Sequence, residues 1–317
     1  MKIIAVIPCY KVKNKILDVI TSIGPEIDSI IVVDDCCPQK TGHFVKNNCH
    51  DKRVTIINNK FNLGVGGAVI EGYKLSLNMS ADIVVKIDGD GQMNADLIPE
   101  IIEPIVNGLA DYTKGNRFFY LESIFNMPKI RILGNAALSF ITKLSTGYWD
   151  IFDPTNGFTA IHSSLIKILP LNKINKNFFF ESDMLFRLST IRAVVHDIPM
   201  HAKYDDEVSN LKIHKIIFTF IYFHIINFFK RIFYNYYLRG MSISSFELPL
   251  GLSLILFGIF FGANKWLISI DTGTTSSFGT VMIVFMSIIL GIQFILSFIT
   301  YDITFVPKKP IQKLNHN

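Results

Sequence analysis

The chain has 317 residues, half of them hydrophobic, and a formal net charge of +5. That length accommodates one substantial α/β domain plus something more, and a mean hydropathy of +0.36 is high for a purely soluble protein. The charge is modest and Lys and Arg form no long stripe, which argues against a nucleic-acid partner.

Met1 and Lys2 lead directly into an apolar run at residues 3–7 that is too short for a signal h-region, so the N-terminal part is expected on the cytosolic side. Residues 3–7, 29–33, 54–57 and 83–87 are short β-branched runs bounded by turn residues. Helical patterns at residues 15–23 and 67–77 lie between them. Buried strands alternating with helices predict a mostly parallel sheet with helices on both faces. Ligands of such sheets bind at the carboxyl ends of the strands. Those ends carry Pro8-Cys9-Tyr10, Asp34-Asp35, Asn58-Asn59 and Asp88-Gly89-Asp90. Cys9, Cys36, Cys37 and Cys49 have neither CxxC nor zinc-site spacing and are expected as free thiols of a reducing cytosol.

Beyond residue 212 the long apolar stretches begin. Residues 213–229 are apolar and aromatic, interrupted by His214, Lys215, His224 and Asn227, and closed by Lys230-Arg231. This pattern predicts helices lying in a membrane interface rather than crossing it. Residues 248–268 and 278–299 are long enough to span, with a polar link at 269–277. Arg239 precedes the first span, and Lys308, Lys309 and Lys313 follow the second, which places both ends in the cytosol. Two buried helices of a soluble protein are the competing reading. The expected organisation is a cytosolic domain over 1–211, interfacial helices over 212–245, a transmembrane pair over 246–301 and a cytosolic tail over 302–317.

The sharpest local signal is Asp88-Gly89-Asp90-Gly91-Gln92, two carboxylates past a buried strand on a glycine-permitted turn. Hard oxygen ligands of this kind suit Mg²⁺ or Mn²⁺ shared with substrate phosphates. A calcium loop fails, because Pro99 stands where its twelfth-position glutamate belongs. Asp34-Asp35 suits a base or ribose, or equally an ordinary turn. Gly64-Val65-Gly66-Gly67 opens a helix without the ending of a P-loop and reads as close packing. The turn-rich segment from Asp153 to Phe158 is structural by default. Asp183 and Arg187 share a helix face, as an internal ion pair or with the carboxylate as a general base.

In order, VIPCY (6–10), IIVVDDCCP (30–38), NLGVGGA (62–68), KIDGDGQM (86–93), KGNRF (114–118), DPTNGFTAI (153–161) and FFFESDMLFRL (178–188) resemble family 2 glycosyltransferases of the GT-A fold. Within them the set is most similar to the polyprenyl-phosphate sugar synthases, over about residues 1–210. The resemblance implies inverting transfer of a hexose from a nucleoside-diphosphate sugar to a polyprenyl phosphate at the cytosolic face of a membrane, a bacterial inner membrane above all. It implies donor contacts at Pro8, Tyr10, Asp34 and Asp35, and a Mg²⁺ or Mn²⁺ site at Asp88, Asp90 and Gln92. Arg117 and Arg131 match residues that hold the acceptor phosphate, and Asp183 matches the catalytic carboxylate position. Lys203 stands in the acceptor-loop segment where an arginine is usual, Asn135 where a serine is common, and Lys11-Val12 where Asn-Glu is usual. The alternative acceptor is a lipid-linked glycan in surface polysaccharide assembly. An idle nucleotide-sugar sensor fits less well with an intact Asp88/Asp90 pair. The sequence leaves homo-oligomer formation open.

Overall fold

The computed structural model describes residues 1–120, 129–201 and 213–316, without the side chains of 130, 131, 213–216 and 314–316. It divides into two compact units, Met1–Phe229 with Pro307–Asn317, and Lys230–Val306.

The first unit is built on a sheet of seven described strands in the order β3-β2-β1-β4-β6-β5-β7. These are β1 (Ile3–Cys9), β2 (Ser29–Asp34), β3 (Val54–Asn58), β4 (Ile83–Lys86), β5 (Tyr112–Asn116), β6 (Thr159–His162) and β7 (Val195–Pro199). The first four run parallel, β6 is antiparallel to both neighbours, and β5 and β7 are parallel. The mostly parallel sheet expected from the alternating runs is thus present. β1, β4 and nearly all of β2 are buried, as strands covered on both faces must be. From β1 the chain steps outward through β2 to β3, then returns to the other side of β1 as β4. That reversal opens a crevice beyond the carboxyl ends of β1 and β4.

Helices α1 (Ile16–Ser22), α2 (Thr41–Asn48), α3 (Val65–Asn78), α4 (Ile98–Val106), α5 (Lys129–Thr146), α6 (Ser163–Ile168), α7 (Phe180–Ile191) and α8 (Ile213–Phe233) complete the order up to the unit boundary, which falls inside α8. One apolar cluster joins β1, β2 and β4 to α1 and α4, with Ile7, Val32, Val85, Ile16, Ile20, Ile98 and Ile101 fully buried. The last segment also belongs here: Ile311 N and Gln312 N donate to the two oxygens of buried Asp111 at 2.9 Å each. The four cysteines are free.

The second unit holds α9 (Ser244–Thr272) and α10 (Phe278–Thr304), both long and apolar enough to cross a membrane. They form a hairpin, as the sequence predicts, but the link is shorter. α9 continues helically to Thr272 and stops where Gly273 takes a left-handed φ of +63°, the ordinary glycine stop. Ser277 then caps α10 by accepting from Thr280 N. Outward residues such as Phe260, Leu267, Phe278 and Phe285 are exposed, unlike the core helices of a soluble protein. In the same unit Arg231 pairs with Asp302 through two hydrogen bonds of 2.6 and 3.1 Å, and the Tyr236 hydroxyl donates to Asp302 at 2.6 Å.

Candidate functional site

Three strand ends meet at the crevice. β1 delivers Pro8, Cys9 and Tyr10; Tyr10 is exposed, with the Lys11 ammonium 5.4 Å from its ring centre. At the end of β2 the two aspartates divide their work. Asp34 accepts from Cys37 N at 2.7 Å and Gly42 N at 2.5 Å, so both its oxygens serve the start of α2. Asp35 accepts from Asn59 Nδ2, Leu63 N and Gly64 N, each at 2.8 Å, and thereby shapes the glycine loop that opens α3. Asp35 lines the cavity; Asp34 is not among its lining residues.

Asp88 and Asp90 follow β4, both at the cavity wall. Asp90 Oδ1 accepts from Gln92 N at 3.0 Å, which tightens the turn. Asp88 Oδ1 accepts from the Lys86 ammonium at 2.7 Å. Lys86 is fully buried and also donates to Gly157 O at 3.1 Å and Glu181 Oε1 at 3.3 Å. Burial alone would push this ammonium down, but the charges of Asp88 and Glu181 outweigh it and hold its pKa above the ordinary lysine value. A Cβ at position 157 would collide with Asp88 Oδ2 and Lys86 Nζ, so only glycine allows this approach. Among the described residues no three His, Cys, Asp or Glu side chains gather to hold a metal by themselves. Two carboxylates at the mouth of a cavity still fit a Mg²⁺-like cation, which binds through one or two carboxylates plus substrate phosphates.

The N-terminal turn of α7 contributes Glu181 to the cavity. Asp183 has a different setting. Two residues along a helix turn a side chain by roughly 200°, and Asp183 is buried, accepting from Asn175 N at 2.8 Å and Asn227 Nδ2 at 3.2 Å, with Arg187 Nε at 3.5 Å. The expected Asp183–Arg187 contact is present, and the carboxylate does not line the cavity. Arg117 is gripped by Asp153 through bonds of 2.7 and 3.0 Å. Asn156 donates to Gly115 O at 2.7 Å, and the Lys114 ammonium donates to Asn156 O, so the turn-rich segment is knit to β5. Burial lowers Lys114 to about 8, whereas Asp197 beside Asn116 is raised by burial to about 6.

The cavity measures about 1180 Å³. Asp35, Asp88 and Asp90 give it a polar lining, and Leu138 and Ile141 on α5 with Ile217, Phe220 and Ile221 on α8 give it a mainly apolar wall. Asn135 stands on this wall with His224, which is buried. Gln92 and Arg117 are not among the lining residues. Arg131 falls in α5, but its side chain lies outside the described residues, and Lys203 lies outside them altogether. Lys86, Glu181 and His224 were not singled out as site residues by the sequence. A lysine inside an otherwise apolar strand was the available signal for the first.

A family model described as glycosyl transferase family 2 matches residues 4–169. The chain is 31% identical over 215 residues to a UDP-N-acetylglucosamine–dolichyl-phosphate N-acetylglucosaminyltransferase of Methanococcus voltae, covering 63% of this chain and 85% of that protein. It is 27% identical to an undecaprenyl-phosphate mannosyltransferase of Micrococcus luteus, covering 63% and 83%. Among solved structures, glucosyl-3-phosphoglycerate synthase of Mycobacterium tuberculosis, in complex with Mn²⁺, uridine diphosphate and glucosyl-3-phosphoglycerate, shares the fold. Its TM-score is 0.55 at 18% identity, covering 73% of this chain and 79% of that one.

Proposed function

Because the chain belongs to glycosyl transferase family 2, we propose that it transfers a hexose from a nucleoside-diphosphate sugar to a polyprenyl phosphate, with inversion, at the cytosolic face of a membrane. One observation carries this reading: a single cavity joins the carboxylates of Asp35, Asp88 and Asp90 to the apolar wall of α5 and α8. A charged, hydrophilic donor and a lipid acceptor need such unlike walls in one place. The relatives named for dolichyl-phosphate and undecaprenyl-phosphate transfer support the acceptor class.

Pro8, Tyr10 and Asp35 take the nucleoside, with Asp34 holding the adjoining helix start. Asp88 and Asp90, assisted by Gln92, hold Mg²⁺ or Mn²⁺. When bound, the cation offsets the charge of the departing diphosphate. Arg117, oriented by Asp153, acts with Arg131, Asn135 and Lys203 on the acceptor phosphate. A phosphate oxygen is already anionic and attacks the anomeric carbon without a base, so Asp183 serves this acceptor by fixing α7 to Asn175 and Asn227. The hairpin of α9 and α10 anchors the chain in the bilayer, a bacterial inner membrane in this reading.

Glu181 favours a second reading. A carboxylate at the cavity wall is what a sugar-hydroxyl nucleophile needs to lose its proton, so a lipid-linked glycan is the alternative acceptor.

The test is to incubate membranes containing the protein with UDP-glucose, UDP-N-acetylglucosamine and GDP-mannose, each with undecaprenyl phosphate, and to weigh the lipid products. The expected product is undecaprenyl phosphate plus one sugar, lost on EDTA treatment and in Asp90→Asn, which should be slower by roughly a thousandfold. Extension of a lipid-linked glycan, with undecaprenyl phosphate untouched, would establish the alternative. Full turnover of Asp90→Asn in excess EDTA would remove the metal from the mechanism.

A further inference from the structure

The segment from Asp153 to Phe158 touches both sides of the reaction described above. Near one end Asp153 grips Arg117, the residue assigned to the acceptor phosphate, at 2.7 and 3.0 Å. Near the other, Gly157 O accepts from Lys86 at 3.1 Å, and the Gly157 backbone packs so closely on Asp88 Oδ2 that no Cβ fits. Thr155 is midway, two residues from Asp153 and two from Gly157. At about 3.8 Å per Cα step, its Cα is no more than about 7.6 Å from that of either one.

The segment is pinned on both sides of that residue. Asn156 N approaches Asp153 O at 3.5 Å with Pro154 in second position, a β-turn that puts Thr155 at its tip. Asn156 is then held at three atoms: its O accepts from buried Lys114, its Nδ2 donates to Gly115 O at 2.7 Å, and its Oδ1 accepts from Phe158 N at 3.0 Å. Asp153, Pro154, Asn156, Gly157 and Phe158 are all buried, and Thr155 alone of the six is not. Thr155 lines the cavity. Its hydroxyl has no hydrogen-bond partner among the described residues, and it keeps accessible surface. A hydroxyl on a fixed tip, open to a cavity and unpaired, is available to a ligand.

The chemistry of the walls selects that ligand. Among the described residues the cavity is lined by carboxylates but by no lysine or arginine. A phosphate entering it gives up hydrogen bonds with water and needs donors at the wall to replace them. The acceptor phosphate must also lie between Arg117 and the donor held at Asp88, the interval that Thr155 occupies along the chain. We propose that Thr155 is an acceptor-binding residue whose hydroxyl donates a hydrogen bond to a phosphate oxygen of the polyprenyl phosphate. The assignment rests on the lipid-phosphate reading and adds to it a neutral donor at the cavity wall.

The test uses full-length protein in nanodiscs with Mg²⁺ and whichever of UDP-glucose, UDP-N-acetylglucosamine and GDP-mannose supports turnover. Two quantities are measured: kcat/KM for undecaprenyl phosphate, and the dissociation constant of the donor without acceptor. Thr155→Val keeps the shape of the side chain and removes the hydroxyl. Its kcat/KM for undecaprenyl phosphate should fall by about ten- to a hundredfold, as the loss of one hydrogen bond to a charged group does. Its affinity for the donor should match that of wild type. Thr155→Ser, which returns the hydroxyl without the methyl group, should recover most of the loss. An undiminished kcat/KM in Thr155→Val overturns the proposal. So does an equal loss of donor affinity, which would put the hydroxyl on the donor or in the fold. A Thr155→Ser variant as slow as Thr155→Val would mean that shape matters rather than the hydroxyl, and the proposal fails again. In each of these cases wild type still glycosylates undecaprenyl phosphate, and the wider reading stands. Should wild type form no such product from any of the three donors, the lipid-phosphate reading itself falls and this inference with it.

Discussion

Two buried lysines on neighbouring parts of the sheet show how the site sets charge. Lys114 meets one carbonyl, Asn156 O, and burial drags its pKa down to about 8. Lys86 is as deeply buried but touches two carboxylates, and it stays charged. Removing an ammonium from water costs several kcal/mol, which Asp88 and Glu181 must offset. The consequence concerns the cation. Asp88 Oδ1 already faces one positive charge, so a divalent ion at Asp88 and Asp90 is repelled by Lys86 while it is attracted by the pair. Lys86→Met should therefore bind Mn²⁺ more tightly without nucleotide, by about tenfold, or 1.4 kcal/mol. Turnover should fall by about a hundredfold, because Asp88 and Glu181 lose the group that orients them. Lys86→Arg, retaining the charge, should bind Mn²⁺ like wild type. Mn²⁺ titration followed by electron paramagnetic resonance reads the affinity, and circular dichroism verifies folding. Weaker Mn²⁺ binding by a folded Lys86→Met would show that Lys86 assists the cation instead.

At the scale of elements, the first four of the seven described strands were legible and the last three were not. β1, β2 and β4 read directly as strands because burial on both faces leaves them almost wholly apolar. β5, β6 and β7 carry Thr113, Lys114, Asn116, Thr159, His162 and Asp197, and look like loop. Distant partners satisfy these groups: Thr113 donates to Ile101 O at 2.6 Å, and Asn116 to Asp197 at 3.1 Å. No local pattern announces bonds of that range. The same limit applies to neighbouring carboxylates. Composition places both Asp34 and Asp35 at a strand end, but only the loop closed by Leu63 and Gly64 turns Asp35 to the cavity, and Glu181 against Asp183 is decided by helix phase. The hairpin was legible in its lengths, whereas its packing depends on glycines. A Cβ at Gly291 would stand 2.6 Å from Ile255 Cγ1 and 2.8 Å from Gly251 O, while one at Gly279 would meet only Ser277 Oγ at 4.0 Å. Gly291→Ala should destabilise the hairpin by about 1–3 kcal/mol through overpacking. Gly279→Ala, in open space on the same helix, should be neutral or stabilise by up to about 1 kcal/mol. Thermal unfolding in one detergent compares the two, and equal midpoints would mean that close helix approach does not hold the hairpin.

At the scale of the whole molecule, the path of the chain constrains how the proposed anchor would cross a bilayer. The chain leaves the first unit after Phe229 and rejoins it at Pro307. The return is fixed by specific bonds: besides the contacts to Asp111, the Gln312 side chain donates to Ala110 O at 2.6 Å and to Ile105 O at 3.1 Å. Both ends of the hairpin are thus tied to one folded body. α9, with 29 residues, and α10, with 27, have lengths of roughly 40 Å at 1.5 Å per residue, against a hydrocarbon core of about 30 Å. If the hairpin spans, that length with both ends on one side would put its tip, between Gly273 and Ser277, across the membrane. Lys308 and Lys309 at the returning end favour the cytosol for the body and the outside for the tip. In sealed cells, on a background without other cysteines, an impermeant maleimide should label Ser276→Cys and leave Lys309→Cys unlabelled until the membrane is opened. Both positions are exposed in the folded chain, so protection reports the membrane rather than burial. Labelling of Lys309→Cys with Ser276→Cys protected would reverse the orientation. If both are labelled from outside, or both only after lysis, the hairpin does not cross, and α9 and α10 lie along one surface.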